Sequence, residues 1–446
     1  MAHYVPHTDE DFARMLGDLG LSSADELFRT VPAALRLAGG LDLPAGMPEA
    51  DVAVEMARLA AANRAPGELV CFAGGGAYDH DISSVTRALA GRSEFVTSYT
   101  PYQPEVAQGV LQALFEYQTL VARLAGLPVA NASVYDGATA LVEAVNLAVA
   151  ATGRSSVWLS AGLNPLWRQV LVTLTAGRGL EIVDVALVDG VTKWPEGGAG
   201  DMTEAPAAIV ASSPNYLGCI DPVAPAKAAA QRSGALLVCC FDPVAAGLLR
   251  TPGEQGADVA VAEGQPLGTP MAFGGPYLGM FAVASDHLRR LPGRLVGRTL
   301  DTGGRTAYVT TLRAREQDIR REKASSNICT NQTLVAVATM VQLSWLGTQG
   351  LRELALRCAR GTRYMREALF RLPGVAPLVT APVVREFAVE VPVSAELVVE
   401  RMADEGFLAG LPVVTGGREG LLVAVTEKRT RSEIDAYVAA IEKVIS

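Results

Sequence analysis

Apolar residues recur at helical spacing near the start of the chain and again in its last third, while the middle alternates short β-branched runs with helical ones. The opening segment carries two capping-box patterns, Thr8 with Asp11 in "HTDED" and Ser23 with Glu26 in "SADE". A turn rich in Pro and Gly, "LDLPAGMP", leads into the helical "EADVAVEMARLAAANRA", so residues 1–90 read as an N-terminal helical arm. Beyond it, "SVWLS", "LEIVDVAL", "AAIVASS", "GALLVCCF", "ADVAVA" and "LGMFAVAS" read as strands. The segments "ATALVEAVNLAVAA", "PLWRQVLVTLTAGR" and "VAPAKAAAQRS" read as helices. This alternation predicts a mostly parallel sheet covered on both faces, the core of a large α/β domain over residues 91–335. The remainder, 336–446, holds the long amphipathic "LRELALRCARGTRYMREALFRL" and then strand, helix, strand and helix, the pattern of a small C-terminal α+β domain.

Charge and composition narrow the partners. The 446 residues carry a formal charge of −9 with no basic stripe, which argues against nucleic acid and against an anionic membrane surface. The apolar runs are read as broken short of the roughly 18 residues of a membrane span. With no targeting pattern in "MAHYVPHTDEDF", a cytoplasmic protein is expected. The six cysteines show no C-x-x-C spacing, and the adjacent Cys239 and Cys240 should point to opposite faces of a strand. His3 and His7 flank Pro6 and have no carboxylate cluster beside them, so no metal site is expected.

Loops that follow strands are the places to look for chemistry in an open α/β sheet. "SYTPYQPE" holds its polar residues between two prolines and can present them rigidly, although a surface turn accounts for it equally. "NASVYDGATA" opens a helix whose N–H groups suit an anion or simply begin the helix. The glycine-rich "FAGGGAYDHD" and "FGGP" lack nucleotide-binding spacing and read as tight turns. Asp242, in "CCFDP", ends a buried strand where an enzyme using pyridoxal phosphate places the aspartate that pairs with the ring nitrogen. The next strand should then supply a lysine, and it supplies none. Of the five lysines, Lys193, Lys227, Lys428 and Lys443 suit solvated positions, and only Lys323, in "REKASSNICTNQ", has surroundings that suggest chemistry. Ser325, Ser326 and Asn327 suit a helix start ahead of "TLVAVATMVQLSWLG", which leaves the charged triplet and Cys329 to be explained.

Four motifs in order, "TSYTPYQPEVAQG", "NASVYDGATALVEA", "EGQPLGTPMAFGGPYLG" and "IRREKASSNICTNQ", are similar to those of the glycine cleavage system P-protein family, in the N-terminal half that forms a separate subunit 1, or α. The resemblance implies the fold type I of pyridoxal-phosphate-dependent transferases, like that of aspartate aminotransferase. It also implies that the cofactor lysine lies on a second subunit in an α2β2 assembly, with Gln265 and Pro266 standing where the lysine-bearing turn would be. The implied reaction is decarboxylation of glycine and transfer of the aminomethyl group to the lipoyl arm of H-protein. This chain would then contribute shape, hydrogen bonds and exclusion of water at a shared interface. Expected contacts there are Tyr99, Thr100, Tyr102 and Gln103, with Ser326, Asn327 and Cys329. Cys329 reads as a small hydrophobe or an oxidisable thiol, and Asp242 as a structural relic. The competing readings are a self-contained pyridoxal-phosphate enzyme using Lys323 and a non-catalytic scaffold.

Overall fold

The computed structural model describes residues 6–37, 39, 41–65, 67–97, 100–195 and 205–446. Two compact units divide at Arg64 and Ala65, earlier than the arm boundary at residue 90 read from the sequence. In the first unit, α1 (Asp9–Asp18) starts as its sequence predicts: the Thr8 hydroxyl accepts the Asp11 N–H at 3.2 Å, and the Asp11 carboxylate accepts the Thr8 N–H at 3.0 Å. The second capping box does not form. Glu26 instead accepts the Ser22 N–H at 2.8 Å, and Ala24–Phe28 is a short 3₁₀ turn. A second helix, α2 (Glu49–Ala60), completes this unit.

The second unit is built on a seven-stranded sheet. Its strands are β1 (Val129–Ala130), β2 (Ser156–Ser160), β3 (Glu181–Val185), β4 (Ala208–Ser213), β5 (Leu236–Phe241), β6 (Val259–Glu263) and β7 (Gly279–Val283), in the order β1-β7-β6-β5-β4-β2-β3. All neighbours are parallel except β7, which runs antiparallel to β1 and β6. The six strands read from the sequence are all present, because strands buried on both faces are written as β-branched runs. Cys239 packs on one face with Ala226 and Ala230, and Cys240 on the other with Leu141 and Val145, as strand alternation requires.

A long helix, Thr333–Leu369, leads to a four-stranded antiparallel lobe ordered Ala376–Pro377, Glu386–Glu390, Arg418–Ala424, Leu411–Thr415, backed by the helices Ala395–Asp404 and Arg431–Ile445. Val70–Cys71 pairs in parallel with Phe407–Leu408 of this lobe, so the chain just after residue 65 belongs with the C-terminal lobe rather than with a helical arm. The long helix begins at Thr333, well after Ser325–Asn327, and no side chain caps it. Asn331 Nδ2 donates to the Ala132 carbonyl at 2.7 Å and the Gln332 N–H to the Ser133 hydroxyl at 3.1 Å, holding the preceding residues against the β1 loop instead. By length and composition this helix is apolar enough to cross a membrane, contrary to the sequence reading. Within the fold it kinks at Gly347, with φ 59° and ψ −176°, and packs Ala336, Val337 and Leu343 in the core.

The lobe meets the sheet at close quarters. Gly218 has φ +81°, and a Cβ there would lie 1.8 Å from the Glu386 carbonyl oxygen. Gly218→Ala is therefore expected to lower the unfolding free energy by about 3 kcal/mol or more, measured by urea denaturation, because both the backbone conformation and the approach exclude a side chain.

Candidate functional site

Two polar centres stand out. The first gathers loops far apart in sequence. Arg294, buried, sets its guanidinium carbon 4.7 Å from the centroid of the Tyr102 ring and donates to the Cys329 carbonyl at 3.4 Å. The Cys329 N–H donates to the Tyr135 hydroxyl at 3.2 Å, and Asn327 Oδ1 accepts from Gln317 Nε2 at 2.8 Å. A cation stacked on an aromatic face while bonded to a carbonyl fixes two otherwise independent loops. Thr100, Tyr102 and Gln103 line an open hollow of about 930 Å³ that continues to Thr97 and Val106, and Tyr102 is 55% exposed. Cys329 is exposed, whereas Ser326 is buried and its hydroxyl accepts the Ile328 N–H at 3.0 Å. Tyr99 lies outside the described residues. The structure thus joins Tyr102 and Cys329 through Arg294, turns Ser326 inward, leaves Asn327 bonded to Gln317, and adds Arg294 and Tyr135, which sequence reasoning missed. A lone Arg in "LPGRLVG" offered only the signal of a charge among apolar and turn residues.

The second centre lies at the carboxyl ends of β5 and β6, around a cavity of about 80 Å³ lined by Asp242, Glu263, Trp167, Tyr216, Arg385 and Glu386. Arg385, 4% exposed, precedes the lobe strand Glu386–Glu390. Its Nε lies 2.7 Å from Asp242 Oδ2, an ion pair not aligned as a hydrogen bond, and its guanidinium stacks 3.6 Å from the Tyr78 ring centroid. Arg385 also reaches His80 Nε2. Since arginine only donates, the ring proton sits on Nδ1, 2.5 Å from Glu427. Cys358 contacts the same Glu427 oxygen at 3.7 Å. These three side chains approach as metal ligands would, but both His80 nitrogens are engaged and Arg385 stands beside them, which disfavours a cation.

Pyridoxal phosphate held by this chain would need a carboxylate free for the ring nitrogen, a lysine, and open N–H groups for the phosphate. The residues present do not fit it. Asp242 is taken by Arg385. Where the resemblance puts the lysine-bearing turn, Gln265 is fully buried, with its side chain bonded to the Tyr78 N–H at 3.0 Å and to the Thr269 carbonyl at 2.7 Å. At the start of the helix Gly137–Thr152, Glu263 accepts the Gly137 N–H at 2.9 Å and Asp136 accepts the Thr139 N–H at 2.7 Å, so two carboxylates stand where a phosphate would. Lys323 sits in an exposed turn, Arg321–Lys323, and does not line this cavity.

Burial raises Glu263 to about 7 despite the N–H bonds it accepts from Leu278, Gly137 and Gln265. Burial also raises Glu386 to about 7 against bonds from Gly75 and Tyr78. Between the unfolded value near 4.5 and about 7, the folded chain holds protons that the unfolded chain has lost. These groups therefore stabilise the fold at low pH, and their contribution falls as pH rises through that window. Urea titrations should show a loss of about 3 kcal/mol per group between pH 4.5 and 7.5, flat above, with the slope reduced in Glu263→Gln. Arg385→Met should cost about 3–5 kcal/mol by leaving Asp242 buried and unpaired, and adding Asp242→Asn should recover much of that loss.

Residues 2–441 match the family described as glycine cleavage system P-protein. Probable glycine dehydrogenase (decarboxylating) subunit 1 of Chlorobium limicola is 45% identical over 438 residues, covering 98% of this chain and 99% of the relative. The crystal structure of glycine decarboxylase (P-protein) of the glycine cleavage system in inhibitor-bound form superposes with a TM-score of 0.92 at 43% identity, over 99% of this chain and 100% of that one. Alanine–glyoxylate aminotransferase from Nostoc shares the fold at a TM-score of 0.60 and 17% identity, over 86% of this chain and 97% of that one. The architecture is that of the type I pyridoxal-phosphate-dependent enzymes, and the chain belongs to the glycine cleavage system P-protein family.

Proposed function

We infer that this chain is the lysine-free subunit of a split glycine decarboxylase, and that the observation carrying this reading is its closed cofactor pocket. Asp242, Gln265 and the helix start at Gly137 each have their polar groups occupied by the chain's own side chains or backbone. A family member that keeps the fold and fills the pocket is suited to complete another chain's site. The relatives' name, subunit 1, supports a second subunit as that chain. Pyridoxal phosphate and its lysine then belong to subunit 2, in a cytoplasmic α2β2 heterotetramer. The substrates are glycine and the lipoyl arm of H-protein.

Within that assembly the Tyr102 loop and the 326–329 segment form the surface this chain offers. The Tyr102 hydroxyl is free to orient a bound carboxylate or carbonyl, because the ring is held by Arg294 through its face rather than through its oxygen. Gln103 and Asn327 add amide donors and acceptors at the rim. Covering the reacting carbon with these side chains excludes water that would otherwise protonate it.

The test is glycine–bicarbonate carbon exchange with lipoylated H-protein, run on this chain, on a lysine-bearing subunit 2 and on their mixture, with visible spectra of each. Full exchange only in the mixture, with the cofactor's absorbance following subunit 2, is the expected outcome. Exchange and colour in this chain alone would return the assignment to Lys323. Complex formation with a rate independent of this chain would make it a scaffold. In the mixture, Tyr102→Phe should lower turnover at least tenfold, and unchanged turnover would remove the hydroxyl from the account.

A further inference from the structure

The chain is acidic overall, but one stretch of it is not. Residues 289–323 hold ten Arg and Lys against four Asp and Glu, a surplus of six cations in a chain of net charge −9. Neutral residues and carboxylates are interleaved with these cations, so no stripe marks them along the sequence, and folding gathers them. Arg289 and Arg290 end the 3₁₀ turn Ser285–Arg290, Arg298 lies on the hairpin Leu295–Leu300 with Thr306–Thr311, and Arg320, Arg321 and Lys323 lie on the turns Gln317–Arg320 and Arg321–Lys323. The stems of these pieces meet in one apolar cluster through Leu288, Leu295, Leu312 and Ile328, and Arg315 ties two of them by donating to the Gly293 carbonyl at 3.1 Å.

Most of this charge is unpaired. Arg305 pairs with Asp301 at 2.9 Å and Arg313 with Asp318 at 3.0 Å, but Arg289, Arg290, Arg298, Arg320, Arg321 and Lys323 are exposed and have no carboxylate partner among the described residues. Unpaired like charges add nothing to the stability of the fold; they act outward, raising the local potential and drawing in an opposite charge. Leu300, 66% exposed, and Ile319, 55% exposed, stand in the same stretch and supply the apolar contact that an interface needs besides charge. The position narrows the partner. Arg294, inside the stretch, stacks on Tyr102 and bonds to the Cys329 carbonyl, so the basic surface adjoins the centre this chain offers to the lipoyl arm. A tethered arm reaches only as far as its carrier's seat allows, so the carrier must rest beside that centre. The interleaved carboxylates work against a polyanion such as nucleic acid and suit an acidic protein face of mixed charge.

We propose that the basic surface built from residues 289–323 is the landing face for the protein that carries the lipoyl arm, and that this carrier meets it with an acidic face. Its role as a landing face rests on the assignment of the chain to a split glycine decarboxylase. It adds where the second substrate is captured and by what force: long-range attraction that speeds encounter and sets orientation, separate from the chemistry at the arm's tip.

The test uses the full-length chain assembled with a lysine-bearing subunit 2. Arg289→Glu, Arg290→Glu and Arg298→Glu are combined in one variant, and Arg289→Lys, Arg290→Lys and Arg298→Lys, which keep the charge, in another. Three quantities are read: KM and kcat for lipoylated H-protein in glycine–bicarbonate exchange at low and physiological salt, the calorimetric affinity for H-protein lacking its lipoyl group, and the change in cofactor absorbance that glycine produces without H-protein. The expected result is a KM at least about tenfold higher in the Glu variant at low salt with kcat within about twofold, and a wild-type KM that rises with salt. Calorimetric affinity should weaken in parallel, the Lys variant should stay near normal, and the response to glycine should not change. An unchanged KM in the Glu variant, or a wild-type KM insensitive to salt, overturns the landing face and leaves the split-enzyme assignment intact. A weaker complex with subunit 2 in the Glu variant, read by mass photometry, overturns it in favour of a contact between subunits. An equal loss in the Lys variant overturns it in favour of packing by the guanidinium groups, and a lost response to glycine in favour of a part in the chemistry. A wild-type mixture that shows no exchange removes both the landing face and the assignment.

Discussion

Asp242 and Arg385 hold opposite charges in the interior of the second unit, and the geometry around them follows from the need to keep those charges paired. Asp242 immediately follows β5, while Arg385 immediately precedes the inner lobe strand Glu386–Glu390, so the pair ties the sheet to the lobe. Because an unpaired buried charge costs several kcal/mol, any movement of the lobe away from the sheet is opposed by both partners at once. Tyr78 stacks on the guanidinium, His80 occupies another of its nitrogens, and Glu427 steadies His80 in turn. The segment 69–82 is thereby held between sheet and lobe. Asp79 extends the same seam with ion pairs to Lys428 at 2.6 Å and Arg429 at 3.2 Å.

This seam changes what the pocket is for. In a type I enzyme the crevice at the carboxyl ends of the strands must open to a ligand. Here the crevice between sheet and lobe is spanned by the Asp242–Arg385 pair, which ties the lobe to the sheet and supports the surface loops from behind. Rigid support suits a chain whose contribution is presented outward, because a side chain that orients another subunit's substrate is useful only if its own loop does not move. The Arg294 contacts with Tyr102 and Cys329 serve the same end at the surface.

How much of this was legible depended on the range of the interactions. The buried strands announce themselves locally, since "SVWLS" and "GALLVCCF" need no partner to be recognised as β-branched runs. The hairpin Leu295–Leu300 with Thr306–Thr311 did not, because its Gly, Arg and Thr residues face solvent and break the apolar alternation. The start of Thr333–Leu369 was misread because Ser325–Asn327 look like caps by type, whereas contacts with residues 132 and 133 decide where the helix begins. Of the two polar centres, the sequence pointed to Tyr102 and Cys329 in the first through its motifs, and in the second to Asp242 and the missing lysine through position along a strand. It could not point to Arg385, whose partners are 143 or more residues away and which resembles any charged residue at the edge of a strand.

Gln265 carries a consequence for what could replace it. Its amide nitrogen donates to the Tyr78 and Thr269 carbonyls while its oxygen accepts the Tyr78 N–H, so donors and acceptor are all used. A lysine there would meet two carbonyls but leave that N–H without an acceptor, and its ammonium would sit in a fully buried position with Asp242 already neutralised by Arg385. An independent cofactor site would require altering Gln265, Arg385 and the carboxylates at the Gly137 helix start together, each change being harmful until the others are made. The interactions that hold this part of the fold together are therefore the same ones that stand against a cofactor site of the chain's own.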